Sequence, residues 1–88
     1  MLHARNDYNK RIQDSENIIP SAEPVFLLRG QDVFAPIVLD IYATLVDESS
    51  TPDDSIVMNT RKHAEAMLQW QLKNKRKSPD MYDEGSVY

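Results

Sequence analysis

Residues 48–54, Glu-Ser-Ser-Thr-Pro-Asp-Asp, decide the fold, because they separate two segments with helical periodicity. Thr51 suits a helix cap, Pro52 suits a first helical position, and two acidic residues follow in the first turn. The segment therefore predicts the end of one helix, a short loop and the start of a second helix. Two helices joined by so short a loop are expected to pack as an antiparallel hairpin.

The segments on either side of this loop repeat their apolar residues at helical spacing. Pro36 suits the first turn of a helix that we predict over residues 35–48, and the second helix is predicted over residues 52–75. The apolar face of the first helix should consist of Ile37, Val38, Ile41, Tyr42 and Leu45. The second helix should present a stripe of Ile56, His63, Met67 and Trp70, with Val57, Ala64, Leu68 and Leu72 beside it.

A short strand is predicted over residues 25–29, Val-Phe-Leu-Leu-Arg, which Gly30 closes. Its apolar residues on both faces predict burial on both sides. Because a lone strand cannot satisfy its own backbone groups, it needs a partner from the N-terminal arm or from a second subunit. The arm, residues 1–19, is polar, and its pattern allows a helical turn as well as an irregular course.

These elements predict a mostly helical α+β protein: an N-terminal arm and a short strand followed by a two-helix hairpin. We expect one domain over residues 1–77 and a flexible tail over 78–88, which lacks an apolar face. A chain of 88 residues has a small core, and without cysteine it has no disulfide to reinforce that core. We therefore expect a homodimer or a larger homo-oligomer.

The charge distribution makes nucleic acid an unlikely partner for the body of the protein. Residues 1–72 carry six basic and eleven acidic side chains, a net charge of −5, whereas binding to a phosphate backbone needs clustered Lys and Arg. The basic run Lys73–Lys77 adds four positive charges and fits a helix C-terminus, where the macrodipole favours cations. The sequence has no apolar run of signal-peptide or membrane-span length, so we expect no membrane association and a location in the cytoplasm, which would be that of the host for a protein of the family considered below.

The sequence offers no recognisable catalytic constellation. It lacks cysteine and a glycine-rich phosphate loop, and its two histidines, His3 and His63, do not have metal-ligand spacing. We therefore expect a binding protein and not an enzyme, with no metal site and no cofactor.

Two polar clusters are the candidate ligand-binding residues. The first contains Arg5, Tyr8 and Asn9, and the second contains Arg29 and Gln31 at the end of the predicted strand. Arg and Gln can bind phosphate groups or base edges, and Tyr can stack on a base. Arg29 is expected to be the main anchor for an anionic ligand.

A purely structural interpretation stays open for each of these residues. Arg29 could pair with Asp32 or Glu23, Asp32 could cap the following helix, and the first cluster could be a flexible polar arm. On the second helix, His63 is expected at the edge of the core and Trp70 in the core or in a dimer interface.

Several segments resemble a family of small phage-encoded accessory proteins. The resemblance covers most of residues 3–71 and departs from the family at Lys10-Arg11, where the family's spacer is shorter. The segments that carry it are His3-Ala4-Arg5-x-Asp7-Tyr8-Asn9, Ile12-Gln13-Asp14, Ile19-Pro20, Glu23-Pro24-Val25-Phe26-Leu27-Leu28-Arg29-Gly30-Gln31-Asp32 and His63-Ala64-x-x-Met67-x-x-Trp70-Gln71.

The resemblance implies a counter-defence protein that acts against the host, either by sequestering a nucleotide signal or by blocking a host protein. We expect the first: a non-enzymatic phage protein that binds and sequesters a nucleotide-type small molecule. The alternatives are a protein-interaction module that blocks a host or phage protein through its acidic surface, and a replication or packaging accessory that contacts DNA through Lys73–Lys77.

Overall fold

The computed structural model of the protein describes residues 2–3 and 5–79, and it describes only the backbone at residues 2, 3, 6 and 9. Most of the described residues in regular structure are helical. They form two compact units, one ending at Leu28 and the other spanning Arg29–Pro79. The single domain over residues 1–77 stays a prediction, and residues 80–88 of the expected tail lie outside the described residues.

The first unit contains a two-stranded parallel sheet and a short 3₁₀ helix. Strand β1, Leu2–His3, pairs with strand β2, Pro24–Val25, and the 3₁₀ helix spans Asn6–Lys10 between them. The N-terminal arm thus supplies the strand partner, which was one of the two predicted sources.

The predicted strand over residues 25–29 is wrong in its extent and in its burial. Only Val25 belongs to β2, and Phe26 is 68% exposed. The pairing is short because the arm turns into the 3₁₀ helix shortly after β1, so the backbone that follows Val25 has no ladder partner in β1.

The second unit is built on the predicted two-helix hairpin. Helix α1 spans Ala35–Asp47 and helix α2 spans Asp54–Lys73, so both elements lie where the periodicity placed them. The predicted cap of the second helix is wrong by two residues. Asp53 takes that position instead of Thr51, and its carboxylate accepts a hydrogen bond from the Ile56 amide at 3.1 Å. A carboxylate at this position gains both the capping hydrogen bond and the favourable end of the helix dipole.

Small side chains make up most of the contact between the two helices. The buried residues are Ala35, Pro36 and Ala43 from α1, and Val57, Ala64 and Met67 from α2. Residues 35, 39, 43 and 46 recur at helical spacing, so they share the side of α1 that packs against α2. Alanines on this side allow the two backbones to approach closely.

The predicted apolar face of α1 is therefore wrong as a core face. Ile37, Val38, Ile41, Tyr42 and Leu45 are all exposed, and the buried side of α1 is formed by its alanines instead. In α2 the burial of Val57, Ala64 and Met67 confirms part of the predicted stripe. The remaining stripe residues are exposed, so they do not belong to the core: Ile56, His63, Leu68, Trp70 and Leu72. The alternative of Trp70 in a dimer interface stays a prediction.

Neither helix of the described residues combines the length and the apolar character needed to cross a membrane.

The Asp53 cap generates a stability prediction. Asp53→Ala should lower the free energy of unfolding by about 1 kcal/mol, because the Ile56 amide loses its acceptor. Asp54→Ala is the matched control, since it removes the same charge from the first turn but no capping bond. Urea denaturation of both variants measures the difference, and an equal loss in the two would contradict the assigned cap.

Candidate functional site

Two arginines share one carboxylate in the first unit. Arg5 donates from Nε to Asp7 Oδ1 and from Nη2 to Asp7 Oδ2, both at 3.0 Å, and this pair is buried. Arg11 Nη1 lies 3.2 Å from Asp7 Oδ2. The 3₁₀ helix brings the three residues together, because it begins directly after Arg5 and ends directly before Arg11. One carboxylate therefore holds two guanidinium groups, one buried and one half-exposed.

Tyr8 lies within the same cluster. Its ring centroid is 4.8 Å from Arg5 Cζ and 5.7 Å from Arg11 Cζ, distances at which a cation is attracted to the ring. The residue is only 1% exposed. The ring therefore helps to hold the arginines in place, and it is not accessible for stacking on a base as the sequence suggested.

The two arginines also set the ionisation of Asp7. Burial raises the pKa of this carboxyl, but the hydrogen bonds from Arg5 and the charges of Arg5 and Arg11 outweigh it, so the pKa lies below its ordinary value of 3.8. Asp7 is therefore ionised at neutral pH and holds both guanidinium groups.

The second cluster lies on a loop that several hydrogen bonds fix to α2 and to the segment that follows it. Gln71 Nε2 donates to Gly30 O at 2.9 Å and to Asp32 O at 2.8 Å. Lys77 N donates to Gln31 O at 2.7 Å, and Val33 N donates to Lys77 O at 3.0 Å. Arg29 and Gln31 lie on this loop, which leads into α1. Its hydrogen bonds leave the backbone of the loop little freedom to move.

Side chains on this loop contribute one local hydrogen bond and one unsatisfied donor. Asp32 is buried, and its Oδ1 accepts from the Phe34 amide at 2.8 Å. Because Phe34 is itself the residue that begins α1 and has no side-chain capping bond, the expected cap by Asp32 is wrong, and its bond fixes the turn before the helix. Arg29 is half-buried. The Nε2 atom of Gln31 is buried and has no hydrogen-bond partner within the described part of the chain.

The five predicted site residues thus fall into two units of the chain. The structure brings Arg5 together with Tyr8 in the first unit, while Arg29 and Gln31 belong to the second. The side chain of Asn9 lies outside the described residues. All five stay predictions as ligand contacts.

Arg11 and Gln71 were missed as site residues. Arg11 was treated as part of an inserted spacer, although its position four residues after Asp7 was a usable signal for a helical ion pair. Gln71 acts across 41 and 39 residues of sequence, a separation at which no local pattern indicates a contact.

A second surface feature is the exposed side of α1. It includes an open groove of about 320 Å³ lined by Ile37, Asp40, Ile41, Thr44 and Leu45. The lining is mostly apolar and contains none of the predicted ligand contacts.

Comparison of the chain with protein-family models, with curated proteins and with solved structures gave no match.

The anchoring of the loop can be tested through Gln71. Gln71→Ala should lower the free energy of unfolding by about 2 kcal/mol, because two carbonyl groups lose their donor. Gln69→Ala, whose side chain bonds only to the exposed Glu65, should change it by less than about 0.5 kcal/mol. Chemical denaturation compares them, and similar values would refute the anchoring role.

The lowered pKa of Asp7 predicts a dependence of stability on pH. A carboxyl whose pKa is lower in the folded state contributes stability that is complete above its unfolded value, 3.8, and is lost as the pH falls through the folded value. Wild type should therefore lose more free energy of unfolding between about pH 5 and about pH 2 than Asp7→Asn, which has no charge to lose. If the free energy of unfolding falls equally with pH in the two proteins, Asp7 does not contribute to the pH dependence of stability.

Proposed function

We propose that this protein is a non-enzymatic phage counter-defence protein that binds and sequesters a small, nucleotide-type anion. The observation that carries the proposal is the half-exposed guanidinium group of Arg11, which Asp7 holds beside the ring of Tyr8. A guanidinium group binds phosphate oxygens through charge-assisted hydrogen bonds.

Arg11 is the residue of the cluster around Asp7 that is best placed to contact a ligand. Its side chain is 49% exposed, and one contact to Asp7 uses only part of a guanidinium group that carries five N–H donors. Because Asp7 and Tyr8 hold the guanidinium, little side-chain entropy remains to be lost when an anion binds. The buried Arg5 supports this arrangement through its pair with Asp7, and it adds charge without needing to touch the ligand.

Arg29 and Gln31 support the same class of ligand in the second unit. Both lie on a loop that is already held by Gln71 and Lys77, so binding would not have to order the backbone. The unsatisfied Nε2 of Gln31 is a donor that an acceptor oxygen would satisfy. In the second unit, Arg29 stays the predicted anchor for an anionic ligand.

Sequestration requires binding and no turnover, which fits a sequence without a recognisable set of nucleophile and base. It also fits the resemblance to small phage accessory proteins, which implied an action against host defence.

A protein-interaction module that blocks a host or phage protein is the second candidate function. The exposed apolar side of α1 favours it, since contiguous apolar surface commonly marks a site of protein contact. This candidate was predicted from the acidic surface of the protein, and the exposed apolar side of α1 supports it as well.

Calorimetric titration with linear and cyclic nucleotides tests the proposal. Arg11→Ala should weaken binding by about tenfold to a hundredfold, the value of a charge-assisted hydrogen bond of about 1.5–3 kcal/mol. Arg29→Ala measures the contribution of the second unit in the same titration.

Arg61→Ala is the matched control. Arg61 is also 49% exposed and also lies near a carboxylate, Asp47, but it belongs to α2 and to neither polar cluster. Its replacement should leave affinity unchanged. If wild-type protein binds none of the nucleotides, the sequestration proposal fails and the protein-blocking function takes its place.

A further inference from the structure

Helix α1 has apolar side chains on more than one side. Its alanine side packs against α2, and its polar residues, Asp40, Thr44 and Asp47, share a narrow strip at helical spacing. An apolar side of a helix is normally buried against another element. In this chain a second apolar surface of α1 is exposed. We call it the outer face of α1: Phe34, Ile37, Val38, Ile41, Tyr42 and Leu45.

We infer that the outer face of α1 is the interface through which two copies of this chain form a symmetric dimer. The sequence predicted a subunit contact at the strand or at Trp70. The outer face is a larger apolar surface, because it exposes six apolar side chains on and beside one helix.

The spacing of the face suits a second copy of itself. Ile37, Ile41 and Leu45 follow one another at intervals of four residues, so the row is symmetric about Ile41. An isologous interface requires a patch that is complementary to itself under a two-fold rotation. Two antiparallel α1 helices with the axis at Ile41 place Ile37 of one copy against Leu45 of the other, and Ile41 against Ile41.

The area of the face is sufficient for a dimer. Half-exposed side chains of this size leave on the order of 100 Å² accessible each, so the face buries about 600 Å² per copy and about 1,200 Å² in total, which reaches the range of specific interfaces. Because the outer face contains no charged residue and only Asp40 lines the groove beside it, the face offers little electrostatic recognition to a charged partner. Apolar contact between two identical faces does not need electrostatic recognition.

A dimer would also add to the small apolar area that so short a chain buries by itself. The residues buried between α1 and α2 are mostly small, and burial stabilises a fold in proportion to the apolar area removed from water. Removing a second side of α1 from water adds the burial that the hairpin lacks.

Sedimentation of the full chain at micromolar concentration tests the inference, with Ile41→Glu as the disrupting variant. Wild type should sediment at twice the 10.1 kDa chain mass. Ile41→Glu should weaken the dimer by about a hundredfold or more, because the two-fold axis brings two carboxylates together in an apolar interface. Since Ile41 is 55% exposed in the single chain, the variant should keep its helical circular dichroism.

Met58→Glu is the matched control, because Met58 is 56% exposed and belongs to α2. It should leave the dimer intact. A wild type that stays at 10.1 kDa overturns the inference and leaves the outer face to a foreign protein, as the second candidate function requires. A dimer that survives Ile41→Glu, or that Met58→Glu dissociates equally, overturns the assignment to this face.

A cysteine cross-link keeps the inference testable if Ile41→Glu fails to fold. The chain has no cysteine, so Ile41→Cys introduces a single thiol at the proposed axis. A disulfide forms only where the two Cα atoms come within about 7 Å. Mild oxidation should therefore link Ile41→Cys into dimers rapidly and Met58→Cys slowly. Equal rates for the two variants would contradict the proposed two-fold axis.

Discussion

Packing of α1 on α2 is the constraint on which the second unit depends. Ala35 and Ala43 of α1 and Val57, Ala64 and Met67 of α2 are buried in the hairpin. Leu39 and Val46 share the alanine side of α1 and are half-buried, whereas Ile37, Ile41 and Leu45 are exposed. The burial of these exposed side chains requires a surface outside the hairpin.

The same unit holds its polar loop by long-range hydrogen bonds and not by apolar packing. A single side chain, Gln71, satisfies two loop carbonyls, and the backbone of Lys77 pairs with residues 31 and 33. Few residues are needed for these hydrogen bonds, since one amide side chain and one extended residue after the helix provide them. They give the loop that carries Arg29 and Gln31 the rigidity that a binding surface needs.

An ion-pair cluster stabilises the first unit, whereas apolar contact between two helices stabilises the second. The buried ion pair between Arg5 and Asp7 is partnered by a second arginine and by the ring of Tyr8. A buried carboxylate that holds two cations fixes the orientation of both. The three residues lie within seven positions of one another, so a short 3₁₀ helix suffices to bring them together.

Local physics in the sequence determined the helices, since cap residues and 3.6-residue periodicity act within a few positions of one another. The partner of β2, the role of Gln71 and the side of α1 that packs were decided only by the tertiary structure. Periodicity shows that Ile37, Ile41 and Leu45 share a face, but α1 has a second apolar face through Ala35 and Ala43. Which face is buried depends on the shape of the other helix, because side-chain volume must fit the space between the backbones.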